Sequence, residues 1–233
     1  MKLINNPDKS QWDELLKRPV LDTENLFGTV RGILNRVRAE GDRAVLACEA
    51  QFDHVELASL VVTEAEMDEA EALVSEELKE AIRMARQNIE TFHAAQRFTG
   101  VPVQTQPGVT CWQKAVPIEK VGLYIPGGTA PLFSTVLMLA VPARIAGCRE
   151  IVLCTPPGRD GKVHPAVLFA ARVAGVHKIF KAGGVQAIGA MAYGTESVPK
   201  VYKIFGPGNQ YVTAAKQLVG LRDVAIDMPV LRK

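Results

Sequence analysis

The sequence predicts an α/β fold in which a helical N-terminal segment and a β-hairpin precede a doubly wound, mostly parallel sheet with helices on both faces. In residues 121–233, five short apolar stretches alternate with helical stretches of roughly ten residues, which is the order of parallel βαβ units. In residues 1–120, apolar residues instead recur at spacings of three and four, which is typical of amphipathic helices. We therefore expect two parts: residues 1–120, a helical segment and hairpin that form an incomplete first domain, and residues 121–233, the α/β domain.

Capping residues set the expected helix bounds in the first part. Asp22 is expected to cap a first helix that ends at Gly41, and a second helix follows directly. Thr63 and Glu66 form a capping-box pattern ahead of a third helix. Ser75 is expected to open a long fourth helix whose interior contains no Pro or Gly. A β-hairpin is then predicted between residues 101 and 118, because two β-prone runs flank a Pro-Gly pair.

Alternating strands and helices are expected from residue 121 onward. The strands are predicted at residues 121–125, 151–154, 178–181, 200–205 and 223–228. The helices are predicted near residues 133–146, 165–174, 186–193 and 209–219. Because a helix joins each strand to the next, the sheet is expected to be Rossmann-like, with helices on both faces.

Glycine-rich loops follow four of the predicted strands: Gly127-Gly128, Pro156-Pro157-Gly158, Gly183-Gly184 and Gly206-Pro207-Gly208. Parallel α/β sheets bind ligands beyond the carboxyl ends of their strands. Three of these loops lead towards a helix N-terminus, where free amides can hold an anion. Any one glycine can simply permit a tight turn, but together the loops favour a nucleotide or another phosphate-bearing ligand. Neither a Gly-x-Gly-x-x-Gly fingerprint nor a Walker loop is present, so no motif demonstrates a dinucleotide site.

Three polar side chains among these loops are the candidate ligand contacts. Tyr124 closes the first strand, Gln186 follows Gly-Gly-Val, and Asn209 follows Gly-Pro-Gly. All three are expected to face one crevice, where the Tyr ring can stack on a ligand and the two amides can donate and accept hydrogen bonds. The alternative is that Gln186 and Asn209 only serve the backbone at the start of their helices.

Composition and charge argue against several functions. The 27 Lys and Arg nearly balance the 25 Asp and Glu, which argues against a nucleic-acid or membrane-surface role. No stretch reaches the roughly 18 apolar residues of a membrane span, and the first residues contain no apolar signal core. The four cysteines lack CxxC spacing, which in a chain without an export signal is typical of reduced, cytosolic thiols.

No catalytic or metal-binding set is visible in the sequence. The four histidines share no i, i+4 helix face and none lies near a Cys pair, so a zinc site within the chain is not expected. Cys148 and Cys154 could form a thiohemiacetal in a dehydrogenase, but we interpret them as buried structural thiols. Asp53 and Asp227 are isolated acids without a visible partner.

Seven stretches of the chain, taken in order, match the pattern of one family. They are ILNRVRAEGD (33–42), VGLYIPGGTAPLFSTVLM (121–138), PARIAGC (142–148), GGVQAI (183–188), YGTESVP (193–199), KIFGPGN (203–209) and AIDMP (225–229). Together they resemble the histidinol dehydrogenases, with family-like spacing over nearly the whole chain and most specifically from residue 121 to residue 229.

The resemblance implies an NAD-dependent oxidation of L-histidinol to L-histidine, the last steps of histidine biosynthesis. Two hydrides pass in turn to two NAD molecules through an enzyme-held histidinaldehyde. In the family a zinc ion positions the substrate, a His acts as base and a Glu activates water, and the enzyme is a homodimer. The cysteine spacing described above, rather than the resemblance, is the basis for expecting a cytoplasmic location. By resemblance, Tyr124, Gln186 and Asn209 fall on the family's NAD-contact positions, the same residues that the loops indicate.

The end of the chain departs from the family. After AIDMP the family continues with Ala-Gly-Pro-Ser-Glu and about as much chain again, whereas this chain reads Val230-Leu231-Arg232-Lys233. The family's zinc ligands, catalytic His and Glu, and most substrate contacts lie in that further part, so no catalytic or zinc-binding residue is assigned here. Two readings stay open: a dehydrogenase subunit that is catalytic only at full length, and a non-catalytic fragment that binds nucleotide or dimerises. A related dehydrogenase acting on another alcohol or aldehyde is a third, weaker reading.

We predict that residues 1–233 alone neither oxidise L-histidinol nor bind zinc at one tight site. The reason is that no tetrahedral ligand set can be assembled from four dispersed His and four dispersed Cys. The measurements are NADH formation from L-histidinol and NAD, and zinc titration of the metal-free chain, after removal of host enzyme. Turnover by the purified chain would contradict the prediction.

Overall fold

The computed structural model describes residues 4–17, 23–128 and 130–227. Asp22, the predicted cap of the first helix, and Met228, the predicted end of the last strand, lie outside these residues. The α-helices are α1 (Trp12–Leu15), α2 (Thr23–Glu40), α3 (Asp42–Cys48), α4 (Glu64–Leu73), α5 (Glu76–Ala94), α6 (Phe133–Ile145), α7 (Pro165–Val173), α8 (Gly184–Tyr193) and α9 (Gln210–Gly220). The strands are β1 (Val103–Gln106), β2 (Val109–Cys111), β3 (Lys120–Tyr124), β4 (Glu150–Thr155), β5 (Lys178–Lys181), β6 (Lys203–Phe205) and β7 (Ala225–Ile226). A short 3₁₀ helix spans Lys9–Gln11, and a π-helical turn, called the π turn below, spans Glu49–Asp53. Within the described residues, no helix is long and apolar enough to cross a membrane.

A five-stranded parallel sheet forms the centre of the second half, with strand order β5-β4-β3-β6-β7. Each strand pairs in parallel with its neighbours. The chain builds outward from β3 through β4 to β5, and then returns to the other side of β3 to form β6 and β7. The strand order therefore reverses between β3 and β6, which is where an open α/β sheet forms its ligand crevice. The fold class predicted from the sequence is confirmed.

The central strands are continuous apolar runs because helices cover both faces of the sheet. Four of the five residues of β3 and five of the six residues of β4 are buried, with only the first residue of each strand partly exposed. This pattern carries no alternation between buried and exposed positions, so it is typical of a strand that is buried on both sides.

Helices of the first half complete the cover on both faces of this sheet. On one face, α2 and α3 pack with α8 and α9 around buried residues that include Val37, Val45 and Ile188. On the other face, α4 and α5 pack with α6 and α7 around buried residues that include Ile82 and Phe169. The sequence predicts helices on both faces but does not show that the first half supplies many of them. The division into residues 1–120 and 121–233 stays a prediction.

Gly41, Thr63 and Ser75 act as predicted at the helix ends of the first half. Gly41 follows the end of α2 with a φ of +58°, a conformation that favours glycine. Oγ1 of Thr63 accepts from the amide of Glu66 at 3.2 Å, while the Glu66 carboxylate accepts from the amide of Thr63 at 2.8 Å. Oγ of Ser75 accepts from the amide of Leu78 at 3.3 Å and so caps α5. The predicted hairpin is also present, because β1 and β2 pair antiparallel, and both strands are exposed throughout.

Residues 60–62 lie along the outer edge of β5. The amide of Lys181 donates to the carbonyl of Leu60 at 2.7 Å, and the amide of Val62 donates to the carbonyl of Ile179 at 3.0 Å. These two bonds form a short antiparallel bridge. The segment between the π turn and α4 is thereby fixed to the sheet of the second half.

We predict that Leu34→Ala lowers the free energy of unfolding by about 2–4 kcal/mol, because truncation leaves a cavity between α2 and α8. Leu34 is 3% exposed and contacts Gly189 of α8. Leu16→Ala is the control, since Leu16 is 77% exposed and its loss should change stability by less than about 0.5 kcal/mol. Urea unfolding followed by circular dichroism measures both variants.

The same unfolding curves test the domain division. One transition that shifts as a whole in Leu34→Ala would show that the two halves unfold together. Two transitions, of which only the less stable one shifts, would support the predicted boundary near residue 120, with residues 121–228 as the autonomous part.

Candidate functional site

A cleft of about 1260 Å³ opens at the carboxyl end of the sheet, beside the switch point between β3 and β6. Tyr124, Gln186 and Asn209 all line it, so the three side chains predicted to share a crevice do share one. The glycine-rich loops after β3, β4 and β5 line the same cleft. Residues of α2, the π turn and α4 close it from the first half of the chain.

Tyr124 ends β3 with its side chain buried. The residue is 3% exposed, and its hydroxyl accepts a hydrogen bond from the amide of Gly184 at 3.1 Å. Burial raises the pKa of Tyr124 well above 10, and the Gly184 amide opposes this only in part. The hydroxyl therefore keeps its proton at neutral pH and can donate it to an acceptor in the cleft.

Gln186 lies in the first turn of α8 and is buried. Its Nε2 donates to Oε1 of Glu49 at 2.9 Å, and the amide of Gly183 donates to the same oxygen at 2.9 Å. The side chain thus bonds to the first half of the chain and not to the backbone of its own helix. The alternative that Gln186 only serves the helix backbone is wrong.

Asn209 is the N-cap of α9 and is exposed in the cleft. Its Oδ1 accepts from the amides of Tyr211 and Val212, each at 3.0 Å. The capping role weighed for Asn209 is therefore confirmed. Its Nδ2 makes no hydrogen bond within the described residues, so this group remains available to a ligand.

A buried ion pair holds the loop that precedes Asn209. Nζ of Lys216 donates to the carbonyl of Gly206 at 2.8 Å, the amide of Gly206 donates to Oδ2 of Asp227 at 2.9 Å, and Lys216 pairs with Asp227. A Cβ at Gly206 would lie 2.1 Å from the carbonyl oxygen of Tyr124, so the loop is pressed against β3 and only glycine fits. The expectation that Asp227 is an isolated acid is wrong, because its partners lie on α9 and on the loop after β6.

The helix N-termini at this end of the sheet differ in how their first amides are satisfied. Nδ1 of His164 accepts from the amide of Ala166 at 3.2 Å and caps α7. The amides at the start of α8 donate to Glu49 and Tyr124, and those of α9 donate to Asn209. The free amides expected after the glycine-rich loops are therefore already used in α8 and α9. In contrast, α6 has no side-chain cap within the described residues, so its N-terminus is the one open to an anion.

The π turn places two carboxyl groups, Glu49 and Asp53, at the margin of the cleft. Glu49 is fully buried, and its Oε2 has no hydrogen-bond partner among the described residues. Burial raises the pKa of Glu49 to about 7, although the bonds from Gly183 and Gln186 oppose the change, and burial also raises the pKa of Asp53. Asp53 lines the cleft.

This acidic pair was missed in the sequence. Asp53 is not isolated, because its carboxyl group interacts with Glu49, four residues earlier in the same turn. That spacing places two side chains on one face of a helical stretch and was the available signal. The link to Gln186 gives no such signal, because the two residues are 137 positions apart.

The cysteines and the remaining titratable groups form no further centre within residues 4–17, 23–128 and 130–227. Cys154 is fully buried in β4, and burial raises the pKa of its thiol, which fits the structural role predicted for it. Cys148 is only partly buried. No group of three or more His, Cys, Asp and Glu in the described part of the chain could hold a metal ion.

The strand order defines a Rossmann-like α/β protein, and its cleft lies at the switch point, where such folds bind ligands. The family model of histidinol dehydrogenase matches residues 16–230. The chain therefore belongs to the histidinol dehydrogenase family, as the resemblance in its motifs predicts.

Individual relatives agree with this assignment. The histidinol dehydrogenase of Bacteroides fragilis is 78% identical over 98% of this chain and 54% of the relative, and that of Shigella dysenteriae is 52% identical over 97% of this chain and 52% of the relative. The crystal structure of histidinol dehydrogenase from Elizabethkingia anophelis superposes with a TM-score of 0.91 at 51% identity, over 97% of this chain and 52% of that one. The chain thus spans about half the length of the relatives it matches.

We predict that the stability of the chain falls as the pH rises from about 5 to about 7.5, and that Glu49→Gln removes most of this fall. The pKa of Glu49 lies near 7 in the folded state against an ordinary 4.5. Between these values the folded chain holds a proton that the unfolded chain has released, so a rise in pH favours unfolding, by about 2–3 kcal/mol in all. Gln keeps the volume and the acceptor oxygen but does not titrate.

Urea unfolding at several pH values measures the effect. Glu80→Gln, at an exposed position of α5, is the matched control and should leave the wild-type profile unchanged. Parallel profiles for wild type and Glu49→Gln would refute the assigned role of Glu49.

Proposed function

We propose that this chain supplies the NAD-binding part of a histidinol dehydrogenase that oxidises L-histidinol to L-histidine through histidinaldehyde. The observation that carries the proposal is the open N-terminus of α6 at the switch point, reached by a glycine turn from β3. An open helix N-terminus favours a phosphate group. Membership of the histidinol dehydrogenase family supports the substrate and the place of the reaction in histidine biosynthesis.

The cleft suits NAD in size and in chemistry. Its volume of about 1260 Å³ accommodates an extended dinucleotide. The turn at Gly127 and Gly128 and the first amides of α6 would hold the pyrophosphate, since no atom of the described residues lies within 4 Å of a Cβ built on Gly128. The Tyr124 hydroxyl and the Asn209 amide would contact the rest of the cofactor, while Gln186 is held in place by Glu49. When bound, NAD accepts a hydride from the substrate; this chain's own residues bind and orient it.

In this proposal, the chain does not itself bind zinc or the substrate and does not supply the catalytic base. The described residues contain no donor set that fits a zinc ion, so we assign zinc binding and L-histidinol binding to the part of the longer relatives that this chain does not match. The active form is proposed to be a homodimer, as the family resemblance implies, and to be cytoplasmic, as the cysteine spacing predicts. The other candidate is a non-catalytic fragment that binds nucleotide or dimerises.

A chimera separates these two candidates. Joining the chain to the second half of the Bacteroides fragilis relative, at a sequence identity of 78% in the first half, should restore NADH formation from L-histidinol. The unmodified relative is the positive control, and the chain alone is the negative control. A folded chimera that does not turn over would remove support for the dehydrogenase and leave the fragment reading.

We predict that Asn209→Ala weakens NAD binding by about 1–3 kcal/mol, because a polar partner of the ligand is lost, and lowers the free energy of unfolding by about 0.5–2 kcal/mol, because α9 loses its cap. Asn209→Ser is the matched variant: it keeps a capping oxygen and removes the amide group. Calorimetric or NMR titration with NAD and thermal unfolding measure the two effects.

Asn209→Ser distinguishes a ligand contact by Asn209 from a role as helix cap only. Weak NAD binding in Asn209→Ser with near-normal stability would support the contact. Normal NAD binding in Asn209→Ser would make Asn209 a structural cap only. If the wild-type chain binds no NAD at millimolar concentration, the proposed cofactor site in this half fails.

A further inference from the structure

The three residues that directly follow β4 lack the acidic side chain that commonly hydrogen-bonds the ribose of a bound dinucleotide, and the first acid further along the loop, Asp160, accepts from the amide of Lys162 through Oδ1. In Rossmann folds an Asp or Glu after the second strand of the sheet hydrogen-bonds the ribose 2′-hydroxyl. Here β4 is the second strand, and the residues that follow Thr155 are Pro156, Pro157 and Gly158. None of them can accept a hydrogen bond through a side chain.

Asp53 brings a carboxylate to this place from the first half of the chain. A Cβ built on Gly183 would lie 3.5 Å from Oδ2 of Asp53 and 2.8 Å from Cβ of Pro156. Asp53 therefore lies over the ends of β4 and β5, next to the turn that leads to Gln186. It is partly exposed and lines the cleft, so a ligand can reach its oxygens.

Glu49 fixes the surroundings of Asp53. It is fully buried, and its Oε1 is occupied by Gly183 and Gln186 while Oε2 has no hydrogen-bond partner among the described residues. The two carboxyl groups of the π turn therefore have different roles. Glu49 bonds to Gly183 and Gln186 at the start of α8, and Asp53 faces the cleft. π-helical turns frequently occur at functional sites.

The charges in the cleft favour a hydroxyl over a phosphate at this position. Lys162 is the one Lys or Arg among the described residues that line the cleft, and both carboxylate oxygens of Glu69 accept from it, at 2.6 and 2.8 Å. Lys181, at the end of β5, pairs with Glu66. His54 follows Asp53 in the chain, and its side chain is exposed. No unpaired Lys or Arg of the described cleft lining is therefore available to neutralise a phosphate beside Asp53 and Glu49.

We propose that Asp53, backed by Glu49, accepts hydrogen bonds from the hydroxyl groups of the cofactor's adenosine ribose and excludes a ribose that carries a 2′-phosphate. Asp53 is then the specificity-determining residue that makes the cleft select NAD over NADP. The inference rests on the proposed NAD site and extends it. Selectivity arises both from the hydrogen bonds made to NAD and from the repulsion of an added phosphate.

The test is titration of the chain with NAD and with NADP, followed by NMR or calorimetry. The wild-type chain should bind NAD at least about tenfold more tightly than NADP, the scale of discrimination expected when a charge faces the wrong group. Asp53→Asn should weaken NAD binding and bring the two affinities to within about twofold. The matched control is Asp160→Asn, because Asp160 also lines the cleft and the new Asn can still accept the bond that Asp160 takes from the amide of Lys162. This control removes the same charge and should keep the preference.

The outcomes separate this inference from the function on which it rests. If the wild-type chain binds NAD and NADP with equal affinity, the proposed role of Asp53 is overturned, and no variant is needed to show it. The proposed NAD site is not affected by this outcome. An unchanged preference in Asp53→Asn, or an equal loss of preference in Asp160→Asn, overturns it as well. Failure of the wild-type chain to bind either nucleotide overturns both the proposed NAD site and this role. Thermal unfolding of each variant checks its fold, and Asp53→Ser repeats the comparison should Asp53→Asn not fold.

Discussion

A parallel sheet has to be covered on both faces, and this constraint organises the chain. The helices between the strands supply only part of the cover, so α2 and α3 pack on one face and α4 and α5 on the other. Because α3 is held against α8, the π turn that follows it lies at the carboxyl end of the sheet. A requirement of packing thus brings the carboxyl group of Asp53 into the cleft at the strand ends, with Glu49 buried beside it.

No Lys or Arg of the described residues pairs with the buried Glu49, so nearby groups have to offset the cost of burying its carboxyl group. Two N–H donors meet one of its oxygens, and the start of α8 provides a favourable partial positive charge. The remaining oxygen has no partner, and burial raises the pKa of the group to about 7. The carboxyl group occupies the place at α8 that an anionic ligand would otherwise take, so the proposed phosphate site falls at the N-terminus of α6. The burial of Glu49 at the start of α8 therefore influences which helix N-terminus stays open to a ligand.

Local signals in the sequence predicted the fold and three cleft residues, whereas long-range pairs could not be predicted. Gly41, Thr63 and Ser75 mark helix ends through backbone geometry and neighbouring amides, so their roles can be deduced from a few adjacent residues. The role of Asn209 as the cap of α9 can be deduced in the same way from its neighbouring residues. By contrast, the bond between Glu49 and Gln186 joins residues 137 positions apart. It depends on how α3 packs against α8, and that packing is a property of the assembled core.

The bridge between residues 60–62 and β5 has a consequence for association between molecules. An open parallel sheet ends in strands whose outer N–H and C=O groups can recruit a strand from another molecule, which is a common route to aggregation. Here the chain covers the β5 edge with its own backbone, and the opposite edge strand, β7, contains only two residues. Such short or covered edges offer little template for intermolecular pairing, so the sheet can keep apolar central strands, β3 and β4, while growth from either side is discouraged.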